Sequence, residues 1–270
     1  HGVDDSRAAL ARGGLLTVAG LGATVLASVL VSSRVASAFD ARWRGGALTR
    51  VAVEGALLKP ALSVRALLSA GRQVERALMD GDLERARQLL SWHLVSRNTT
   101  GLSASQVAGA AIASLAENVS DSVVAPLLAY RLGGMPAAYG YRFANTADAM
   151  LGYRTPELEW FGKPAARLDD LFNLAPSRAT AVLIALVAGV ARGSTRESLR
   201  VAWDDAGQTP SPNGGWPMAA MAGALGVRLE KRGVYVLGDH LREPRPSDIG
   251  RARKLVTVVT ALATLAVDLS

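Results

Sequence analysis

Charged and amide side chains stand in the middle of an apolar segment, "SLAENVSDSVVAPLLAY", which covers residues 114–130. On a helix, Glu117 and Asp121 are four positions apart and share a face, with Asn118 three positions before Asp121. Like charges repel, and each charge in a low-dielectric setting costs about 2.5–3.5 kcal/mol unless a partner compensates it. The pattern therefore predicts that a cation, a metal ion or a substrate neutralises these acids.

A second group of chemically capable side chains occurs in "NTADAMLGYRTP", residues 145–156. Asn145 and Asp148 are three positions apart, and Arg154 follows them. Carboxylate and amide oxygens are hard ligands of the kind that Mg²⁺ accepts, often together with water and phosphate oxygens. An arginine nearby is suited to bind a phosphate with two parallel hydrogen bonds.

The block "EWFGKPAARLDDLFNLAPSR", residues 159–178, repeats this combination. A helix here puts Asp169 and Asn173 on one face. The block contains three further candidates: Lys163, Arg167 and Asp170. A solvated helix face with paired charges is the alternative interpretation of the same residues.

Two loops contribute the remaining candidates. "SRNTTGL", residues 96–102, supplies Arg97 and several hydroxyl groups just before the long apolar segment. "TPSPNGG" supplies Ser211 and Asn213 and leads into an apolar helix rich in Ala and Met. Its Pro and Gly content is also typical of a simple turn-rich loop.

A thiolate or histidine metal site is not predicted. The chain has no cysteine and three histidines. His93 follows Trp92 on an amphipathic helix and is expected at the surface, and the sequence shows no partner for His1 or His240.

Composition indicates a membrane protein. The chain has 270 residues, of which 50% are hydrophobic and 20% charged, whereas soluble domains are about a quarter charged. The net charge is +7, and the cations lie between apolar runs. Anionic lipid headgroups and phosphorylated substrates therefore suit this chain better than nucleic acid.

The apolar runs predict the helices that must position these side chains. Residues 15–32 contain no charge and are long enough to cross a bilayer, and residues 103–130 suit a kinked or re-entrant helix facing a cavity. Residues 179–191 and 255–267 suit either a transmembrane or a buried helix. Residues 47–62 are apolar but charged at three positions, which favours a core or interfacial helix.

The intervening stretches complete a predicted all-α, polytopic membrane fold in one domain, 1–270. Residues 33–102 and 192–254 are rich in Lys and Arg, which places them on the cytoplasmic side of a cell membrane. A helical hairpin is expected around the turn at 80–82, and residues 232–238 form at most a short strand or hairpin arm. The site is accordingly expected to face the cytoplasm.

Four strings in this chain resemble the signature blocks of the adenosylcobinamide-phosphate synthase family of cobalamin biosynthesis. They are "SRNTTGL", "SLAENVSDSVVAPL", "NTADAMLGYRTPELEWFGKPAARLDDLFNLAPSR" and "SPNGGWPMAAMAGALGVRLEKRGVYVLG". They occur in the family's order and cover roughly residues 50 to 254. Two features depart from the family pattern: an initial span with a "GDP…HPV" element is absent, and Gln208 and Thr209 stand where a histidine is expected.

The resemblance implies an integral membrane ligase that joins adenosylcobyric acid to aminopropanol, or to its phosphate, through an amide bond. It implies ATP as substrate and Mg²⁺ as activator, with the corrinoid and the amino alcohol as partners. It leaves open a homo-oligomer or an association with other enzymes of the cobalamin pathway. Because no G-x-x-x-x-G-K-[ST] is present, ATP is not expected in a P-loop.

The roles implied by this resemblance fall on three sets of residues. The catalytic set is Glu117, Asp121 and Asp169. The metal set is Glu117, Asp121, Asp148, Asp169 and Asp170. The substrate and phosphate set is Arg97, Asn118, Asn145, Arg154, Lys163, Arg167, Asn173, Ser211 and Asn213.

Two other classes of membrane protein share some of these features. A magnesium-dependent phosphotransferase or prenyltransferase also places paired aspartates near helix ends, but it needs two D-x-x-D motifs, which the aspartate blocks here do not provide. A small-molecule transporter also uses broken helices at mid-membrane depth. It should show matched halves, and the sequence shows no internal repeat.

Overall fold

The computed structural model describes residues 3–42, 46–152, 155, 158–190 and 193–268. Most of this is helical, with one short two-stranded hairpin, which confirms a predominantly α-helical fold. The helices are α1 (Val3–Arg42), α2 (Gly46–Leu58), α3 (Val64–Met79), α4 (Leu83–His93), α5 (Ala104–Val119), α6 (Ala125–Leu151), α7 (Lys163–Phe172), α8 (Leu174–Val190), α9 (Thr195–Asp205), α10 (Gly215–Leu225) and α11 (Pro246–Asp268). Short 3₁₀ turns occupy Lys59–Ala61 and Ala206–Gln208.

The chain divides into two compact units. The first unit contains His1–Leu62 and Ala125–Asn173, and the second contains Ser63–Val124 and Leu174–Ser270. The single domain that the sequence predicted over 1–270 stays a prediction.

In the first unit, α1 and α6 approach each other closely at glycines. A Cβ on Gly20 would lie 2.3 Å from the Phe143 ring, and one on Gly140 would lie 3.3 Å from Val25. Glycine also interrupts α6, because Gly134 has φ +64°, a left-handed conformation that other residues rarely adopt. Pro136 follows and lacks a backbone donor, so the helix is broken at this point.

The core of the second unit is built around α5 and α10. Every residue from 107 to 116 of α5 is buried, and so is α10 except at Trp216. The small side chains of α10 permit close packing, since a Cβ on Gly223 would lie 2.4 Å from a backbone oxygen of α9. Much of the apolar character of 103–130 therefore forms this core.

Two local predictions are confirmed in the second unit. Helices α3 and α4 form a hairpin whose turn includes Gly81 at φ +78°, and the Asp82 side chain caps α4 by accepting from Arg85 N. Strands β1 (Leu229–Lys231) and β2 (Tyr235–Leu237) pair antiparallel, in the region predicted to hold a short hairpin arm.

The predicted break in 103–130 is a π-helical turn, Ser120–Val124, which follows α5 directly. Its i→i+5 bonding widens the backbone, and such turns occur frequently at functional sites. Thr180 donates a hydrogen bond of 3.2 Å from its hydroxyl to Ser120 Oγ, so α8 supports the turn from inside the second unit.

Within the described residues, one helix is long and apolar enough to cross a membrane: Asp5–Ser37 of α1, which contains the predicted run 15–32. Helices α7 and α8, taken together as a bent pair, give a second candidate for a membrane span. This pair contains most of the predicted run 179–191. Helices α5, α6 and α11 do not meet the same criterion.

Candidate functional site

A cavity of about 210 Å³ in the second unit is lined by both cationic and acidic side chains. It lies between α5, the loop that follows α4, α10 and the β1–β2 hairpin. Its lining residues are Leu94, Val95, Ser96, Arg97, Ala110, Ala113, Ser114, Glu117, Met218, Lys231 and Tyr235. Two of the predicted site residues, Glu117 and Arg97, meet here.

Helix α5 places Glu117 in this cavity. The helix begins with a capping box in which Ser103 and Gln106 satisfy each other's backbone donors, which fixes its first turn. Ser114 donates to the Leu94 carbonyl at 2.7 Å, joining the helix to the loop on the other side of the cavity. Asn118 donates to the Ser114 carbonyl at 2.9 Å and to Ser114 Oγ at 3.1 Å. Asn118, predicted to bind substrate, is therefore held against its own helix.

The β1–β2 hairpin adds two residues that the sequence analysis did not select. Lys231 and Tyr235 are directly opposite each other in the antiparallel register. Opposite residues in such a pair project to the same face of the hairpin, and both line the cavity. The string "RGVYVLG" predicted at most a short strand or hairpin arm, and it contained no information about which helix the strand would face.

The loop "TPSPNGG" contacts Glu117 through a glycine. A Cβ on Gly214 would lie 2.6 Å from Glu117 Oε1, so a larger residue there would displace the carboxylate. Ser211 Oγ shapes the loop by accepting from the backbone N–H groups of Asn213 and Gly214 at 3.2 and 3.3 Å. The loop thus serves to position Glu117.

Asn213, in the same loop, belongs to a polar network with α8. Its side-chain oxygen accepts from Arg178 Nη1 at 3.3 Å and from Ser177 Oγ at 3.4 Å. The Arg178 guanidinium also stacks 4.9 Å from the centre of the Trp216 ring. Ser211 and Asn213 were predicted to bind substrate, and neither lines the cavity.

The charges around the cavity favour an anionic ligand. Burial, and then the negative charge of Glu117, raise the pKa of Tyr235 to about 12, while Arg97 acts in the opposite direction. Tyr235 is consequently a neutral phenol at physiological pH and can donate a hydrogen bond. With Arg97 and Lys231 cationic and Glu117 acidic, the cavity can hold phosphate oxygens beside one carboxylate.

Asp121 lies apart from this arrangement. It is in the first turn of the π-helical segment and does not line the cavity. Residues four positions apart share a face only in a regular α-helix. The wider π-helical turn begins between Glu117 and Asp121, so the predicted shared face does not apply to them. The catalytic and metal-binding roles predicted for Asp121 stay predictions.

In the first unit, α6 and α7 bring the two carboxylate and amide blocks together. Asn145 Nδ2 donates to Asp169 Oδ1 at 3.2 Å, and Arg142 donates to Asn145 Oδ1 at 3.0 Å. Asn173 also hydrogen-bonds the Asp169 side chain, as its position on the same helical face predicted. The Tyr141 hydroxyl donates to Asn173 Oδ1 at 2.9 Å, and both side chains are buried.

Three aspartates of this unit are close enough to interact electrostatically. Burial raises the pKa of Asp148 to about 6, and the negative charges of Asp169 and Asp170 act in the same direction. Asp170 is 3.8 Å from Arg167, whose side chain is 74% exposed, so this ion pair is largely solvated. We call Asp148, Asp169 and Asp170 the aspartate cluster.

Lys163, another candidate from these blocks, packs against an aromatic ring. The Lys163 ammonium lies 4.2 Å from the centre of the Trp160 ring. Arg154 lies outside the described residues. In the part of the chain that the structure describes, no group of three or more His, Cys, Asp or Glu side chains is arranged to hold a metal ion by itself.

The structure gives His240 two partners that the sequence did not show. Its Nε2 atom lies 2.7 Å from Glu197 Oε1 and 2.6 Å from Arg200 Nη2. Hydrogen bonds from Arg200 and His240 lower the pKa of Glu197 to about 2. The histidine is 43 positions from Glu197 in the chain, a separation at which no helical spacing could have indicated the contact.

The sequence profile described as CobD/Cbib protein matches residues 3–263. The chain belongs to the CobD/Cbib family. The resemblance to a family of cobalamin biosynthesis is thereby confirmed.

Named relatives agree with this assignment. A "Probable cobalamin biosynthesis protein CobD" of Methanothermobacter thermautotrophicus is 45% identical over 214 residues, covering 79% of this chain and 71% of the relative. A "Cobalamin biosynthesis protein CobD" of Rhodobacter capsulatus is 38% identical over 266 residues, covering 96% and 80%. That of Yersinia enterocolitica is 40% identical over 212 residues, covering 76% and 66%. No solved structure matches this chain.

Proposed function

We propose that this protein is a membrane-embedded carbon–nitrogen ligase of cobalamin biosynthesis. It joins the carboxylate of adenosylcobyric acid to aminopropanol or its O-phosphate, with ATP as the source of activation. The observation that carries the proposal is the cavity in which Glu117 lies with Arg97, Lys231 and Tyr235. The family and the names of the relatives support the pathway.

The reaction needs a leaving group on the carboxylate. Transfer of a phosphoryl group from ATP to a carboxylate oxygen gives an acyl phosphate and ADP. The amine then attacks the acyl carbon, the new C–N bond forms, phosphate leaves, and the nitrogen loses a proton. Catalysis of phosphoryl transfer is mainly positioning and charge neutralisation, which cationic side chains can provide.

The cavity residues have matching roles. Arg97 and Lys231 bind the phosphate oxygens, and Tyr235, whose pKa is raised to about 12, donates a hydrogen bond as a neutral phenol. Glu117 accepts the proton that the amine releases, as a general base. A volume of about 210 Å³ is below the range of about 300–1,000 Å³ typical of sites for whole drug-sized ligands. The cavity therefore takes the reacting ends of the substrates and not the corrin macrocycle.

The aspartate cluster has the donor chemistry that Mg²⁺ prefers. Its side chains are hard oxygen ligands, and burial together with the neighbouring negative charges raises the pKa of Asp148, an arrangement that a bound cation would stabilise. Asp148, Asp169 and Asp170 would hold the ion together with water oxygens, so these residues need not form a complete protein cage. When bound, the ion would supply positive charge beside the three carboxylates.

We also propose a multi-pass location in the cell membrane with the site facing the cytoplasm. The apolar helix α1 supports membrane insertion, and the Lys and Arg content of 33–102 and 192–254 supports the orientation. The lipid bilayer, the corrinoid and the amino alcohol are the proposed partners.

The decisive experiment is an amide-forming assay with the purified full-length chain in lipid nanodiscs. Adenosylcobyric acid, aminopropanol phosphate, ATP and Mg²⁺ are supplied together and then omitted one at a time. Amide product that requires the corrinoid, the amine and ATP is the expected result. Product that forms without ATP would contradict the acyl phosphate step, and the absence of product with either amine form would contradict the ligase proposal.

A further inference from the structure

A groove on the surface of the second unit, separate from the cavity, has no role in the mechanism above. Its volume is about 580 Å³, and it lies between α4 and the loop that follows it. Its lining residues are Glu84, Arg87, Gln88, Ser91, Trp92, Asn98, Thr99 and Thr100.

The most unusual side chain in the groove is Trp92, which is 84% exposed. The opposite face of α4 buries Ala86, Leu89 and Leu90, so the helix is anchored without the indole. An exposed indole offers a large flat surface on which an aromatic ring can stack. Gln88, Ser91 and Thr100 are exposed beside it and offer both donors and acceptors.

The floor of the groove is well ordered by hydrogen bonds. Arg87 donates from Nε and Nη2 to the Leu102 carbonyl at 2.9 and 2.6 Å. The Thr99 hydroxyl, buried in the floor, donates to the Arg87 carbonyl at 2.9 Å. These contacts fix the loop against α4, so the groove is formed without a ligand.

The same loop also lines the cavity that contains Glu117. Residues Leu94 to Arg97 face the cavity, and the next three residues, Asn98 to Thr100, face the groove. A ligand that follows this loop therefore meets an aromatic surface with polar edges first and the cations Arg97 and Lys231 next. A flat heteroaromatic ring attached to a chain of phosphates matches that order.

We propose that the groove binds the base and ribose of ATP, with the base stacked on Trp92 and the phosphates directed along the loop to Arg97. The inference rests on the proposed function for the use of ATP, and it provides a nucleotide subsite in a chain that has no P-loop motif. The adenosyl group of the corrinoid carries the same base as ATP. It has no phosphate chain, however, that could reach Arg97 and Lys231.

The test is equilibrium binding by calorimetry to the full chain in nanodiscs, without corrinoid or amine. The ligands are ATP and inorganic tripolyphosphate. Trp92→Ala should weaken ATP binding about tenfold, because stacking of a base on an aromatic side chain is worth about 1–3 kcal/mol. Trp92→Phe should keep most of the affinity, and tripolyphosphate should bind all three proteins alike.

The matched control is Trp203→Ala, which removes another exposed tryptophan, 79% exposed and on α9. It should leave ATP binding unchanged. Equal affinity of the wild type and Trp92→Ala for ATP would overturn the proposal, and so would a wild type that binds no ATP. Adenosylcobyric acid is titrated alone in a separate run. A Trp92→Ala protein that loses affinity only for this corrinoid would assign the groove to it and overturn the proposal as well.

The binding assay separates this inference from the ligase proposal. If amide forms but Trp92→Ala binds ATP normally, the groove assignment fails alone. If Trp92→Ala loses ATP affinity and the wild type makes no amide, the groove assignment holds and the proposed function fails.

Discussion

Glu117 and Asp148 are acidic residues in similar helical positions, but their surroundings differ in charge. Glu117 shares its cavity with Arg97 and Lys231, whereas Asp148 faces two more aspartates. In the first environment the protein itself supplies positive charge next to the acid. In the second, burial and like charges raise the pKa of Asp148 to about 6, so full ionisation at neutral pH is costly.

The comparison shows two ways of accommodating an acid in an apolar protein. In the cavity, Arg97 and Lys231 supply positive charge beside the Glu117 carboxylate, which is proposed to act as the general base for amide formation. Three neighbouring aspartates, of which Asp170 pairs with the largely solvated Arg167, instead favour binding of an external cation, as the Mg²⁺ proposal requires. The predictions below test whether the two acids differ in this way.

The largest expected effect is that of Glu117→Gln on catalysis. The substitution keeps the shape and removes the basic oxygen, so kcat for amide formation should fall by about 100-fold or more with an unchanged melting temperature. The assay is the nanodisc reaction described above. Asp204→Asn, which removes an exposed acid of α9, should leave kcat unchanged. Near-normal turnover by Glu117→Gln would remove this residue from the chemistry.

Gly214→Ala should move Glu117 without removing it. The new methyl group would lie 2.6 Å from Glu117 Oε1, so the carboxylate must shift, and a shift of this size should lower kcat by about tenfold. Stability should change little because only the end of a flexible side chain is displaced. Gly207→Ala is the control, since a Cβ there meets nothing within 4 Å. Equal kcat values for both variants would mean that the position of Glu117 is unimportant.

Lys231→Ala should weaken phosphate binding in the cavity. We expect KM for the phosphorylated substrate to rise about fivefold, because a charge-assisted hydrogen bond is lost from a partly exposed site. The dependence of KM on salt should also become weaker. Arg232→Ala, which removes the adjacent exposed cation, is the matched control. An identical KM for Lys231→Ala and the wild type would contradict this assignment.

The smallest expected effect concerns stability and Asp148. Its pKa is raised in the folded state, so the folded protein binds the proton more tightly and loses stability as pH rises from about 4 to about 6. Above pH 6 in EDTA, Asp148→Asn should therefore be more stable than the wild type. The gain should be about 1 kcal/mol after allowance for solvent screening, and it should vanish near pH 4.

Thermal unfolding of both proteins across this pH range measures the difference. Adding Mg²⁺ at pH 8 should raise the melting temperature of the wild type more than that of Asp148→Asn. A difference between the two proteins that does not depend on pH would show that Asp148 carries no unusual titration.

Local sequence patterns determined most of the helical fold. The hairpin turn at 80–82, the long apolar helix around 15–32 and the break in 103–130 were all predictable, because helix periodicity and turn chemistry act over a few residues. The same spacing rule placed Asp169 and Asn173 on one face, and the structure confirms that their side chains interact. The four signature blocks were sufficient to assign the family.

Tertiary structure alone decided which side chains meet. Glu117, Gly214 and Tyr235 are far apart in the chain, and their contact depends on how α5, α10 and the hairpin pack. The π turn after Val119 likewise changed the relation of Glu117 to Asp121, which a regular α-helix would have fixed. The buried part of α5 has the composition of a membrane span, because a lipid bilayer and a protein core select the same apolar residues. Sequence spacing specifies faces of single elements, and only packing between elements brings those faces together.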